Sequence, residues 1–262
     1  MENARKFYID GKWQNAVSGQ EFAVIDPSTE QQFSSITLGD ARDVDRAVQA
    51  AKTAFPKWAG MAHSARIDLL ESLLKVYKRR AEDMAQAISR EMGAPITLSR
   101  EAQVVAGQNH LESTIRLARD FEFECPSSQD DGGTMKLLEP IGVCGLITPW
   151  NWPMNQVMLK VAPALAMGCT AVLKPSEVSP LSAIVLAEMI DEAGFPAGVF
   201  NLLNGDGGGV GAALTSHRDV DMISFTGSSV AGVAISHAAA PTIKRVALEL
   251  GGKGANIVFA DA

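Results

Sequence analysis

Residues 143–177 read VCGLITPWNWPMNQVMLKVAPALAMGCTAVLKPSE, and the fold is decided there. Two short apolar runs, Val143–Thr148 and Thr170–Lys174, flank an apolar stretch long enough to be a helix reaching Met167. Continuous apolar strands separated by helices specify a parallel sheet covered on both faces. The pattern continues downstream. A helix is predicted at Leu181–Ala193, a strand at Val199–Leu203, a helix near Gly211–Thr215, a strand at Asp221–Phe225, a helix at Ser229–Ala239 and a strand at Arg245–Leu250. In such α/β sheets ligands sit beyond the carboxyl ends of the strands. The residues that follow each strand are therefore where chemistry is sought.

Upstream the texture differs. Phe7–Trp13 reads as a small hairpin turning at Asp10-Gly11. Asp40 is placed to cap a helix that buries Val44, Ala47, Val48, Ala51 and Phe55. Ile67, Leu70, Leu74, Tyr77, Ala81, Met84 and Ile88 then recur at helical spacing, predicting one long amphipathic helix ended by Gly93 and Pro95. Another helix is predicted from Thr97 to Arg119. Two strands, Phe121–Cys125 and Thr134–Glu139, flank the polar stretch 127–133 and read as a protruding hairpin.

The 262 residues suffice for one large or two small domains, at roughly 100–200 residues each. The net charge of -7, with acids and bases interspersed, argues against nucleic acid as the main partner. The apolar stretch Val157–Val172 is interrupted by Lys160, Pro163 and Gly168, so no membrane span is expected. The polar N-terminus shows no secretory signal. Cys125, Cys144 and Cys169 have neither metal-site spacing nor an even count. No metal site and no disulfide framework are expected, and a reducing, cytoplasmic location fits.

Five segments could carry chemistry. In Thr148-Pro149-Trp150-Asn151-Trp152-Pro153, a stiff turn holds an amide that could stabilise an oxyanion, or simply cap the next helix. In Lys174-Pro175-Ser176-Glu177, the lysine and glutamate could hold ribose hydroxyls, or form a solvated pair. Gly207, Gly209 and Ala212 match G-x-G-x-x-A, but the acidic residue expected at the end of the next strand is missing, so a plain turn is equally open. Phe225-Thr226-Gly227-Ser228 opens a helix whose free N–H groups could bind phosphate, with Gly232 allowing close packing; an ordinary Ser cap is the alternative. Glu249, in Leu248-Glu249-Leu250-Gly251-Gly252-Lys253, could be a general base whose pKa is raised by apolar neighbours, or a surface partner of Lys253.

Taken in order, T-P-W-N-W-P, K-P-S-E, F-T-G-S-x-x-x-G and L-E-L-G-G-K resemble the aldehyde dehydrogenase superfamily, from about Phe7 to the last residue. The resemblance implies a Rossmann-like α/β fold: a parallel sheet with helices on both faces, a helical N-terminal segment and the hairpin. It implies an NAD-binding domain whose N-terminal part is residues 1–120, an oligomerisation hairpin at 121–140, the α/β portion at 141–250, and the start of a catalytic domain at 251–262, with its first strand in 255–262. It implies NAD-dependent oxidation of an aldehyde to a carboxylic acid, in the hydrolytic branch and most simply with the general aldehyde dehydrogenase activity, by a homo-oligomer (a dimer or tetramer) with no membrane or nucleic-acid partner.

By the same resemblance, Asn151 stabilises the oxyanion and Glu249 activates water. Lys174 and Glu177 hold the adenosine ribose, and a carboxylate there favours NAD over NADP. Gly207 and Gly211 lie on the adenine side, and Phe225, Thr226, Gly227 and Ser228 pack against the dinucleotide. Cofactor contacts are also implied for Ile147, Thr148, Pro149, Trp150, Ser176, Gly232 and Leu250. The family's nucleophilic cysteine, in a G-Q-x-C-like context after L-E-L-G-G, has no match in this sequence. The expectation is therefore a fragment that is inactive alone. The alternatives are a non-catalytic dinucleotide-binding or assembly module, and an acylating branch of the same superfamily.

Overall fold

The computed structural model describes residues 2–127 and 133–262. In chain order, β1 (Phe7–Ile9) and β2 (Lys12–Gln14) form a hairpin about Asp10-Gly11, and β3 (Gln20–Asp26) and β4 (Gln31–Leu38) form another. Then come α1 (Ala41–Ala59), α2 (His63–Arg79) and α3 (Ala81–Met92). The short α4 (Ile96–Leu98) runs through a π-helical turn, Ser99–Gln103, into α5 (Val104–Arg119). After β5 (Glu124–Pro126) and β6 (Met135–Leu137) the alternating part begins: β7 (Val143–Ile147), α6 (Pro153–Ala166), β8 (Thr170–Lys174), α7 (Leu181–Glu192) and β9 (Phe200–Leu202). It ends with a π-helical turn, Gly207–Gly211, α8 (Ala212–Ser216), β10 (Met222–Gly227), α9 (Ser229–Ala239) and β11 (Arg245–Leu250).

The main sheet has the strand order β11-β10-β7-β8-β9-β1-β2. Its first five strands are parallel; β1 joins β9 antiparallel through Tyr8 and Leu202, so the N-terminal hairpin extends the sheet. Period-2 alternation divides each strand between two cores. Cys144, Leu146, Ala171 and Leu173 face the side covered by α2, α3, α5, α6 and α7. Val143, Ile147, Val172, Ile223 and Phe225 face α1, α8 and α9. The expected parallel sheet with helices on both faces is thus the observed one. The predicted cap of α1 is also present: Asp40 and Asp43 form a reciprocal capping box.

Three expectations need correction. The single helix over 67–88 is two, broken at Arg80, whose φ of -100° and ψ of 19° leave the helical region. No Gly or Pro marks that break, and the apolar spacing runs across it. The β3–β4 hairpin was not foreseen, although its turn chemistry is explicit. Asp26 accepts hydrogen bonds from the Ser28 N–H (2.9 Å) and Oγ (2.6 Å), which reverses the chain before β4. The strand expected in 255–262 does not form; residues 251–262 are exposed and without strand.

The protruding hairpin is present as β5–β6, with strands shorter than expected. The Ser127 N–H donates to the Thr134 carbonyl (3.0 Å) and the Leu138 N–H to the Phe123 carbonyl (2.8 Å). Most of its polar tip, residues 128–132, lies outside the described residues.

Candidate functional site

The sheet register brings four of the five singled-out segments to one level. Ile147 pairs with Lys174 across β7–β8 and with Phe225 across β7–β10, and Phe225 pairs with Leu248 on β11. One row across four strands therefore ends where Thr148, Pro175, Thr226 and Glu249 begin. Beyond this row lies an open cleft of about 840 Å³, lined by Pro149, Trp150, Asn151, Lys160, Thr226, Gly227, Ser228, Glu249 and Leu250, among others. The hydroxyls of Thr148, just after β7, and of Thr226, which lines the cleft, are buried without a hydrogen-bond partner among the described residues. Buried polar groups are normally satisfied, so two such hydroxyls at adjacent strand ends suit a polar ligand.

Lys174 and Glu177 form an ion pair at 3.2 Å, and the Lys174 ammonium also donates to the Pro175 carbonyl at 2.9 Å. The solvated surface pair is not what forms, because Lys174 is only 3% exposed. Burial lowers the pKa of this lysine, with Glu177 and Asp206 opposing the shift. Ser176 is buried beside it, and its Oγ accepts from the Val178 N–H (3.3 Å). Gly211 lies against the lysine stem: an added Cβ would stand 3.7 Å from Lys174 Cε. Gly207 instead faces open space. Asp206 occupies the start of this glycine-rich turn, its carboxylate accepting from the Gly209 N–H at 2.5 Å. The turn is π-helical and already capped by its own chain, unlike an open phosphate loop.

In the cleft lining, Asn151 is exposed in the bend before α6. Trp152, not Asn151, holds the cap position of that helix, and no side chain caps it. Among the described residues the Asn151 amide makes no hydrogen bond, so its donors are free to face a ligand. Glu249 is also exposed, because β11 is the edge strand of the sheet. The apolar enclosure expected around it is therefore absent from these residues. No ion pair joins it to Lys253 among the described residues.

Beneath Glu249 sits a residue that the sequence reading treated only as an interruption. Lys160 on α6 is 8% exposed, donates to Ser224 Oγ at 3.0 Å and lines the cleft. Burial lowers its pKa, and the negative charge of Glu249 opposes the shift. The available signal was its position: the buried face of α6 also holds Val157, Val161 and Ala162, and a lysine there needs a partner.

At the start of α9, Ser228 Oγ accepts from the Ala231 N–H at 3.2 Å, so the ordinary Ser cap is formed. Gly227 and Gly232 are needed sterically. A Cβ on Gly227 would meet the Phe225 ring at 2.4 Å, and one on Gly232 would meet Leu250 Cδ2 at 2.7 Å. Gly232 thus sets how closely α9 lies on β11. The three cysteines are unpaired and none lines the cleft; Cys144 and Cys169 are buried and Cys125 lies in the hairpin. Among the described residues, no group of three metal-binding side chains occurs and no helix is long and apolar enough to cross a membrane.

The family model described as the aldehyde dehydrogenase family matches residues 13–262. A 3-succinoylsemialdehyde-pyridine dehydrogenase from a Pseudomonas species is 51% identical over the whole of this chain, which covers 54% of that relative. Among solved structures, an aldehyde dehydrogenase from Bartonella henselae superposes with a TM-score of 0.95 at 52% identity, over 98% of this chain and 54% of that one. An aldehyde dehydrogenase C variant from Pseudomonas syringae, in complex with NAD+ and octanal, superposes with a TM-score of 0.94 at 49% identity, over 99% of this chain and 53% of that one. The chain spans about half the length of the curated relatives it matches.

Proposed function

This chain belongs to the aldehyde dehydrogenase family, and we propose that it supplies the NAD site and two catalytic side chains for oxidation of an aldehyde to a carboxylic acid. The overall change is aldehyde, NAD+ and water to carboxylate, NADH and protons. The observation that carries this reading is the single row of strand ends, which sets the motif residues of β7, β8, β10 and β11 side by side at one edge of the sheet, those of β7, β10 and β11 lining the cleft.

The residues present fit a dinucleotide. Lys174 and Glu177 offer a fixed cation and a carboxylate to ribose hydroxyls. The unpartnered hydroxyls of Thr148 and Thr226, at the ends of β7 and β10, offer polar contacts beside the same row. Gly227 and Gly232 keep α9 close to the sheet, and Gly227 and Ser228, just before α9, line the cleft. NAD+, when bound, supplies the hydride acceptor. Glu177 disfavours a 2′-phosphate through like-charge repulsion, so NAD is preferred to NADP.

Asn151 holds its free amide donors towards the cleft, where they can stabilise negative charge developing on the aldehyde oxygen. Glu249, across the cleft, takes a proton from the attacking water. Lys160 lines the same cleft with its ammonium held by Ser224. No cysteine of this chain lines the cleft.

The reading extends to a cytoplasmic protein, which the three unpaired cysteines suit. It extends also to a homo-oligomer that uses the β5–β6 hairpin, where Met135, Leu137 and Leu138 are exposed. The test is kinetic. In the full-length protein, Glu249→Gln should slow steady-state turnover by about 10²–10⁴-fold while the first burst of NADH keeps its rate. Equal loss in both phases would contradict the role given to Glu249.

A further inference from the structure

The side chain that fixes the lysine–glutamate loop is not in the loop. Helix α7 begins at Leu181, four residues after Glu177, and Pro180 at its cap position offers no side-chain acceptor. The first N–H groups of a helix need acceptors, and they attract negative charge. Here they find one from 90 residues away. The carboxylate of Glu91 on α3, fully buried, accepts from the Ser182 N–H at 3.1 Å and from the Leu181 N–H. Burial pushes the Glu91 carboxyl up to about 7, and the opposing influences are all donors at Ser182 and Leu181. No lysine or arginine pairs with it among the described residues. Its partners are the helix start alone.

Capping α7 from outside ties that helix start to α3, and two contacts carry the restraint into the cleft. The Ser179 N–H donates to the Ser176 carbonyl (3.2 Å), which closes the loop directly behind Glu177. Ser179 Oγ donates to the Trp150 carbonyl (3.4 Å), next to Asn151. A one-residue local cap could have satisfied the helix; a buried carboxylate on another helix also fixes where the loop stands.

We propose that Glu91 is a positioning residue for the dinucleotide site, holding the start of α7 so that Lys174 and Glu177 meet the ribose in one geometry. The proposal rests on the NAD site described above.

The test uses the full-length protein with Glu91→Gln, Glu91→Asp and, as a control for lost stability, Leu111→Ala in the core between α5 and its neighbours. NAD affinity is measured by calorimetric titration, alongside KM for NAD, KM for aldehyde, kcat and thermal unfolding. Each N–H now has its own carboxylate oxygen and Gln replaces one of these with a donor NH2, so Glu91→Gln should weaken NAD binding about tenfold, with KM for aldehyde unchanged. Glu91→Asp should weaken it less. Leu111→Ala should lower the unfolding temperature without moving the NAD affinity. NAD binding by Glu91→Gln within twofold of the parent, or an equal loss in Leu111→Ala, overturns the proposal. So does failure of both Glu91 variants to fold, which would make Glu91 a stability residue only. Should the unaltered protein fail to bind NAD, the underlying site reading falls, a result distinct from any of these.

Discussion

Strands β8 and β11 belong to one sheet and each ends in a motif residue, yet they live in different surroundings. Every residue of β8 is buried, whereas β11 is exposed or half-buried along its whole length. β8 is flanked by β7 and β9 and covered by α1 and α6; β11 has a neighbour on one side only. The difference separates the two jobs assigned to the row of strand ends. The part assigned to the ribose, Lys174 and Glu177, is held by buried contacts within this chain. The part assigned to the chemistry, Glu249 and Leu250, stands on an uncovered edge. The ribose side is held by buried contacts; the side carrying Glu249 is exposed.

The sharpest way to break this comparison is to ask the chain for turnover. Residues 1–262 with NAD and a panel of aldehydes should produce no NADH above background. Loss of a covalent nucleophile costs several orders of magnitude in rate, and no cysteine here lines the cleft. Turnover at rates typical of an enzyme would show that the catalytic edge is complete as it stands.

Next in size is the stability contrast. Leu146 in β7 is fully enclosed and Leu250 in β11 is 44% exposed. Chemical denaturation should show Leu146→Ala costing about 2–5 kcal/mol and Leu250→Ala no more than about 0.5 kcal/mol. Similar losses at both sites would mean that the edge is as well packed as the centre.

These two strands also show what the sequence made legible. The βαβ punctuation after Pro140 located each strand and helix to within a few residues, because continuous apolar runs and Gly/Pro stops are local signals. Lys174, Glu177 and Gly232 stand in sequence motifs, and the structure shows a buried lysine paired with Glu177 and a glycine packed against Leu250. Burial along β11 was not legible. Arg245–Leu250 has the composition of a central strand, and exposure depends on what lies beside it. Lys160 and Glu91 were missed for a related reason. Each is a charged residue on a buried helix face, and its partner, Ser224 or the start of α7, is set by tertiary packing far along the chain. The break at Arg80 lacked any residue that signals a stop.

A smaller effect concerns pH. Burial lowers the pKa of Lys174 below that of a free lysine. Its ammonium is therefore lost earlier as pH rises, and NAD affinity falls through that depressed value. Titrations between about pH 7 and about pH 10.5 should show this alkaline limb in the full-length protein. In Lys174→Met the limb should be absent, with affinity about tenfold weaker at neutral pH. A limb that survives the substitution would remove Lys174 from the ribose.

The central claim, that the strand-end row forms an NAD site with Glu177 at the ribose, is tested most directly by titrating the full-length protein and its Glu177→Gln variant with NAD and NADP in parallel. The account predicts tighter binding of NAD by the unaltered protein and a preference narrowed by roughly fivefold in Glu177→Gln, where one like charge is removed. NADP binding at least as tight as NAD, or a preference that the substitution leaves unchanged, would contradict it.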